Sequence, residues 1–226
     1  GGRTSSWSLT YRPLFAIYYK ERIMQKIISL FKRDYEGTRQ VYDEVVPGAE
    51  WVVAGDGIAT IKWDGTSCLM RKSILCKRYD AKAGRTPPQG FEPVQDAPDP
   101  VTGHWPGWVA CQRSNPADRW HFEAYDALEA YFDGTYELCG PKIGNKGSGN
   151  PYGFTTHRLI AHGNDILPDA PRTFDALKVY FEENPAYEGI VWHHPDGRMV
   201  KIKRRDFGLP WPVSTVPALK APESTG

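Results

Sequence analysis

The stretches 51–78 and 188–203 are built of short apolar runs, each cut by a glycine or polar turn before it is long enough for a helix. That spacing confines much of the chain to short β-strands with tight connections. Strands are expected at 51–54, 58–62, 67–71, 74–78, 136–139, 188–193 and 198–203. The last two are joined by His194-Pro195-Asp196-Gly197, strong turn chemistry. Apolar residues at helical spacing predict helices at 25–33, 124–132 and 174–183, the last with Thr173 as N-cap and Phe174, Leu177 and Phe181 on one face. Pro87, Pro88, Pro93, Pro98, Pro100 and Pro106 make 84–108 a long surface excursion rather than a regular element.

A chain of 226 residues can bury a core without needing disulfides or a structural metal. Cys68, Cys76, Cys111 and Cys139 form no C-x-x-C pair and no zinc-finger spacing with histidine, so they read as buried thiols of a reducing compartment. No apolar stretch reaches the ~18 residues of a membrane helix, and no cleavage site follows the apolar segment 13–19. The expectation is a soluble, cytoplasmic monomer. Residues 1–23 read as an extension, with the domain start near Met24. Residues 24–213 form the domain, and the Pro- and Ser-rich 214–226 a loose tail. A net charge of +1 does not exclude a polyanion, because local clustering outweighs the sum.

Three short patterns carry chemistry. Lys62-Trp63-Asp64-Gly65 places a lysine at a strand end before a tight turn, which a solvated lysine ahead of an ordinary hairpin also explains. Glu188-Gly189-Ile190-Val191 opens a strand with a carboxylate. In Lys201-Ile202-Lys203, period-two alternation sends both lysines to one face, where an anion between them would relieve their repulsion. An exposed basic edge strand gives the same pattern. The loop 144–150, Gly-Asn-Lys-Gly-Ser-Gly-Asn, is not a Walker A sequence, since no G-K-[ST] closes it. It reads as a flexible loop, with Asn145 and Lys146 as the residues through which to test an approach to a nucleotide or RNA end. The six histidines read as surface or core residues. Adjacent His193 and His194 point to opposite faces of a strand and make a poor metal site.

The order K-x-D-G, E-G-I-V, K-x-K resembles motifs I, IV and V of the covalent nucleotidyltransferase superfamily of ATP-dependent ligases and mRNA-capping enzymes. Arg78, after Leu75-Cys76-Lys77, resembles the basic residue of motif Ia, and Tyr136-Glu137-Leu138-Cys139-Gly140 the carboxylate strand of motif III. Pro106-Gly107-Trp108-Val109, Gly149-Asn150-Pro151-Tyr152-Gly153, Ala161-His162-Gly163 and Gly208-Leu209-Pro210-Trp211-Pro212 extend the likeness to small single-domain 5′-to-3′ RNA ligases.

The resemblance implies an α+β nucleotidyltransferase (adenylation) domain of antiparallel sheets flanked by helices, without a C-terminal OB domain. It implies Lys62 as the nucleophile toward ATP. Lys201 and Lys203 would contact the α-phosphate, and Thr60, Ile61, Arg78, Glu137 and Glu188 the nucleotide. Glu188 and Glu137 would hold Mg²⁺ or Mn²⁺, while Asp64 and Gly65 shape the turn. The implied partner is RNA with 5′-phosphate and 3′-hydroxyl ends, held along a basic strip of Arg198, Arg204, Arg205 and the lysines. The Pro-rich excursion is expected to border the RNA groove.

A physical demand accompanies these roles. At an unperturbed pKa of ~10.4, only about one lysine in a thousand is neutral near pH 7.4. Lowering the pKa by ~3 units takes ~4 kcal/mol, which neighbouring cations, partial burial or a bound metal can supply, with Lys201, Lys203 and Arg78 as the candidate cations. Three readings stay open: an RNA ligase, the same chemistry on another nucleotide or DNA end, and a non-catalytic nucleotide- or RNA-end-binding module.

Overall fold

The computed structural model describes residues 27–144 and 150–213. The expected extension 1–23, the start near Met24, Asn145, Lys146 and the tail 214–226 lie outside the described residues.

The architecture is α+β and mostly antiparallel. In chain order the elements are β1 (Ile28–Ser29), β2 (Phe31–Arg33), β3 (Val41–Val45), α1 (Glu50–Val53), β4 (Ile58–Lys62), β5 (Thr66–Arg71), β6 (Ile74–Lys82), β7 (Glu92–Pro93) and β8 (His104–Ala110). They continue with α2 (Arg119–Asp126), β9 (Gly134–Cys139), β10 (Arg158–Ala161), α3 (Phe174–Glu183), β11 (Gly189–His193) and β12 (Met199–Lys203). A four-stranded sheet runs β1-β12-β11-β4, a six-stranded sheet runs β10-β9-β5-β6-β8-β7, and β2 and β3 form a small pair.

Alternation along β4, β11 and β12 sorts the smaller sheet into two faces. Ala59, Ile190, Trp192, Val200 and Ile202 join the main core with Leu177 and Phe181 of α3, and with Leu30, Phe31 and Phe207. On the opposite face the register aligns Lys62, Gly189 and Lys203 in one row and Thr60, Val191 and Lys201 in the next. The larger sheet has its own core of Cys68, Met70, Leu75, Tyr136, Leu138 and Leu159, closed by Ala124 of α2. Its other face carries Glu137 opposite Ser67.

The helix expected at 25–33 is replaced over its described residues by β1 and β2. A helix of nine residues has little stability of its own, whereas β12 offers an open edge. Ile28 pairs in parallel with Val200, and Leu30 N–H donates to Lys201 O. The strand expected at 51–54 is a single helical turn, α1. It is stopped at Gly55, whose φ of 98° suits glycine, and it delivers Trp51 and Val52 to the core. The helix expected at 124–132 is displaced toward the N-terminus: α2 covers 119–126 and 127–132 is not helical; a 3-10 turn, Pro116–Asp118, precedes it, where the Asn115 side chain accepts from Ala117 N–H and Pro116 opens the turn. The Pro-rich excursion contains regular structure. Its last part is β8, paired along β6, and Glu92 of β7 sits opposite Trp108. β7 is an outer strand, where prolines cost no ladder hydrogen bond, and three strands separate it from β9. The helix 174–183, the strands 58–62 and 136–139 and the 194–197 turn lie where the pattern predicted them.

Candidate active site

Two close backbone approaches explain the glycines at 65 and 189. A Cβ on Gly65 would lie 2.1 Å from Leu138 O, so the turn after Lys62 can lie against β9 only without a side chain. In that position Gly65 N–H donates to Glu137 Oε1 at 3.1 Å, which ties motif-like segments far apart in the chain. A Cβ on Gly189 would lie 2.5 Å from Ile202 O. Glycine there leaves room for the Lys203 stem beside the Lys62 row. Gly65→Ala should therefore cost about 1–3 kcal/mol through overpacking. A chemical denaturation midpoint equal to that of the parent would contradict the close approach.

At the end of β4, Lys62 Nζ donates to Glu188 Oε2 at 2.9 Å. Glu188 is only 8% exposed. Burial disfavours the Lys62 ammonium, but the charge and hydrogen bond of Glu188, aided by Glu137 and Asp64, outweigh it and raise the Lys62 pKa. The expectation that cations depress Lys62 is thus overturned: its nearest charged partner is an anion. The lysine that is depressed is Lys201, by burial first and then by Lys203 and Lys62. Burial pushes the Glu188 carboxyl up, and Lys62 offsets part of that.

Glu137, on the facing sheet, is held at both oxygens. Oε1 accepts from Gly65, and Oε2 lies 2.7 Å from His162 Nε2. His162 Nδ1 in turn meets Thr135 Oγ1 at 2.9 Å, so the imidazole is oriented at both nitrogens. His162 is the site residue that the sequence reading left among bland histidines. Its only signal was its place in the Ala161-His162-Gly163 match.

Thr60 is fully buried on the Lys62 face, but its hydroxyl is engaged. It donates to Val191 O at 3.0 Å and accepts from His193 Nε2 at 3.1 Å. Burial, with a contribution from His162, pushes His193 down to about 4, so this imidazole is neutral at physiological pH. Ile61 alternates to the far side and packs its side chain against the main core. Arg78, exposed on β6, pairs with Asp80 rather than with Lys62, Glu137 or Glu188.

The matched segments around Tyr152 and Trp211 converge on the turn after Lys62, while 106–109 lies in β8 between β6 and β7. Tyr152 Oη accepts from Asp64 N–H at 2.5 Å, and Trp211 Nε1 donates to Asp64 Oδ2 at 2.9 Å. Trp63 packs edge-on to Tyr152 and donates to Asp165 at 2.9 Å. Asp64 is thus a buried hydrogen-bonding hub that fixes where Lys62 leaves its strand.

The expected basic strip does not form as drawn. Arg204 is buried and donates to the carbonyls of Phe181, Asn184, Tyr187 and Pro210. A buried guanidinium must satisfy its N–H groups inside the protein, and these contacts lock β12 to α3. Arg205 donates to Trp211 O, and Arg198 pairs with Asp196.

Glu188 and Glu137 supply hard carboxylate oxygens near Lys62, and among the described residues no third metal-ligating side chain completes a cage there. That set fits Mg²⁺, which typically takes one or two carboxylates and leaves its other positions to water and substrate phosphate.

Two antiparallel sheets present a lysine–carboxylate pair, a second carboxylate and two further lysines on facing surfaces. Comparison with known proteins agrees in class. Residues 124–223 match the family model RNA ligase 1, a span that holds Glu137, His162, Glu188, Lys201 and Lys203 and leaves Lys62 outside. The chain is 31% identical over 160 residues to RNA ligase 1 of Pongo abelii, covering 56% of this chain and 48% of the relative. It is 30% identical over 144 residues to RNA ligase 1 of Danio rerio, covering 50% and 43%. These matches support an RNA ligase family for this chain, and the wider covalent nucleotidyltransferase kinship is consistent with them. The chain spans about half the length of the curated relatives it matches.

Proposed function

We propose that the protein is an ATP-dependent RNA ligase that carries AMP on Lys62. The observation that carries the reading is the row Lys62–Gly189–Lys203 with Glu188 bonded to Lys62 and Lys201 one row away. A lysine nucleophile, a carboxylate and two cations then share one surface that faces Glu137.

The chemistry follows from the groups present. Lys62 Nζ, once it has lost its proton to solvent, attacks the α-phosphorus of ATP. A nitrogen–phosphorus bond forms as the bond to pyrophosphate breaks in line. Lys201 and Lys203 stabilise charge on the phosphate oxygens. Glu137, oriented by His162 and Gly65, binds ribose hydroxyls or a metal-bound water. Mg²⁺, when bound by Glu188 and Glu137, supplies further neutralisation of phosphate charge. The raised pKa of Lys62 belongs to the resting pair, in which its ammonium is bonded to Glu188. AMP next moves from Lys62 to an RNA 5′-phosphate. A 3′-hydroxyl then attacks that phosphate, forming the phosphodiester and releasing AMP. Thr60 supports the Lys62 strand through its bonds to Val191 and His193, and Ile61 through its packing.

The test is sealing. With ATP and Mg²⁺, RNA bearing a 5′-phosphate and a 3′-hydroxyl should be joined, and Lys62→Ala should join none. Joining that needs GTP, or that accepts only DNA ends, would replace the ATP-RNA reading with the corresponding nucleotidyltransferase.

A further inference from the structure

A second cluster of chemical side chains lies on the far side of the larger sheet's core from Glu137. Cys111 follows the end of β8, Asp118 precedes α2, and His121 stands in the first turn of α2. One ligand atom from each, a thiol sulfur, a carboxylate oxygen and an imidazole nitrogen, lie within 4.8 Å of one another. Asp118 and His121 are buried, at 1% and 8% exposure.

His121 is the anomaly. Both ring nitrogens are buried without a hydrogen-bond partner among the described residues. A buried imidazole has one donor and one acceptor, and leaving both unmet forfeits the hydrogen bonds that water would have given them. Burial lowers its pKa, so protonation is no remedy. The neighbours do not fill the need. Asp118 Oδ1 accepts from Lys77 Nζ at 2.5 Å, and Oδ2 from Gln112 N–H at 2.9 Å.

We propose that Cys111, Asp118 and His121 form a site for a zinc-class divalent cation, separate from the Lys62 cleft. The donor set is one sulfur, one nitrogen and one oxygen, which suits a borderline-soft ion such as Zn²⁺ and not Mg²⁺. Binding exchanges the Cys111 sulfur–hydrogen bond for a sulfur–metal bond and releases the proton to solvent. It also gives one His121 nitrogen its missing partner. Asp118 keeps its bond from Gln112, because a carboxylate has about four acceptor positions. Lys77, whose side chain is a quarter exposed, yields its place at Oδ1 and turns to water. The ligand atoms already lie within 4.8 Å of one another, so small side-chain adjustments suffice to reach metal bonds of ~2.0–2.3 Å. The ion would staple the β8 end to α2, the helix that caps the larger sheet's core.

The experiment titrates the full chain, stripped with a chelator, with Zn²⁺ against a chromophoric competitor, and separately with Co²⁺. The proposal expects one zinc per chain, a thiolate-to-cobalt charge-transfer band and a zinc-dependent rise in melting temperature. Cys111→Ser should abolish the band, and His121→Gln and Asp118→Asn should each weaken zinc by at least ~10-fold. Should Cys111→Ser lose its native circular dichroism, the other two variants decide. Absence of zinc binding by the parent chain, or binding undiminished in the folded variants, would overturn the site. In that event the cluster is a Lys77–Asp118 ion pair beside an unsatisfied histidine.

Discussion

Replacing Glu188 by Ala is expected to slow covalent transfer of AMP to Lys62 by roughly 10²–10³-fold, the cost of removing one preorganised group from a charged transition state. The same substitution should make Lys62 easier to deprotonate. In the parent, burial opposes the ammonium but Glu188 prevails, and the Lys62 pKa is raised. Without the carboxylate the main influence raising the pKa is gone, and burial is opposed only by the weaker charges of Glu137 and Asp64. The stabilisation that Lys62 draws from its partner is full below the ordinary lysine pKa and is lost as pH rises through the raised value. In the variant that loss moves to lower pH. Labelling by an amine-reactive reagent, followed at Lys62 by peptide mass spectrometry across mildly alkaline pH, reads the shift. A faster-labelled yet poorly adenylylated Lys62 is the expected combination. Unchanged labelling would mean that Glu188 does not set the protonation of the nucleophile.

Arg204→Ala should be strongly destabilising although the residue is polar. The guanidinium joins four backbone carbonyls across the α3 end and the 184–187 connection to Pro210, and Arg204 N–H donates to Glu188 O at 2.9 Å. Truncation leaves several buried acceptors unmet and a hole behind them, about 3–5 kcal/mol in sum. At ~2–4 °C per kcal/mol for a domain of this size, the melting temperature should fall by roughly 6–20 °C. Arg204→Lys should recover little, since an ammonium cannot span the carbonyls that a planar fork reaches. A melting temperature within 2 °C of the parent, a margin of ~1 kcal/mol or less, would show that solvent replaces these bonds freely.

Much of the candidate site was legible because its residues obey period two. Alternation alone placed Lys201 and Lys203 on one face, and the structure puts both on the face that carries Lys62. The Lys62–Glu188 bond was not legible. It depends on the antiparallel register of β4 with β11, which brings Gly189 opposite Lys62 across a long sequence separation. The sign of the Lys62 shift was missed for the same reason: the cations Lys201, Lys203 and Arg78 were weighed, while the controlling charge is the Glu188 carboxylate that the register brings to Lys62. Arg204 looked like part of a basic run until folding buried it, because sequence does not say which arginine of a pair is turned inward. His162 was invisible for a further reason. Its role comes from the oxygen of Glu137, on the adjacent strand, and a lone histidine between alanine and glycine carries no pattern of its own. The stretches 51–54 and 25–33 show local propensity yielding to tertiary demand, where Trp51 needed a turn to reach the core and Ile28 found an open strand edge.

The central claim is that the amine of residue 62 takes up AMP. The direct measurement is intact-mass and peptide mass spectrometry of the chain after incubation with ATP and Mg²⁺ under conditions that preserve phosphoramidates. One added AMP, mapped to Lys62 and absent from Lys62→Arg, is the expected result. AMP mapped to any other residue, or no adduct on a folded chain that still seals RNA, would contradict it.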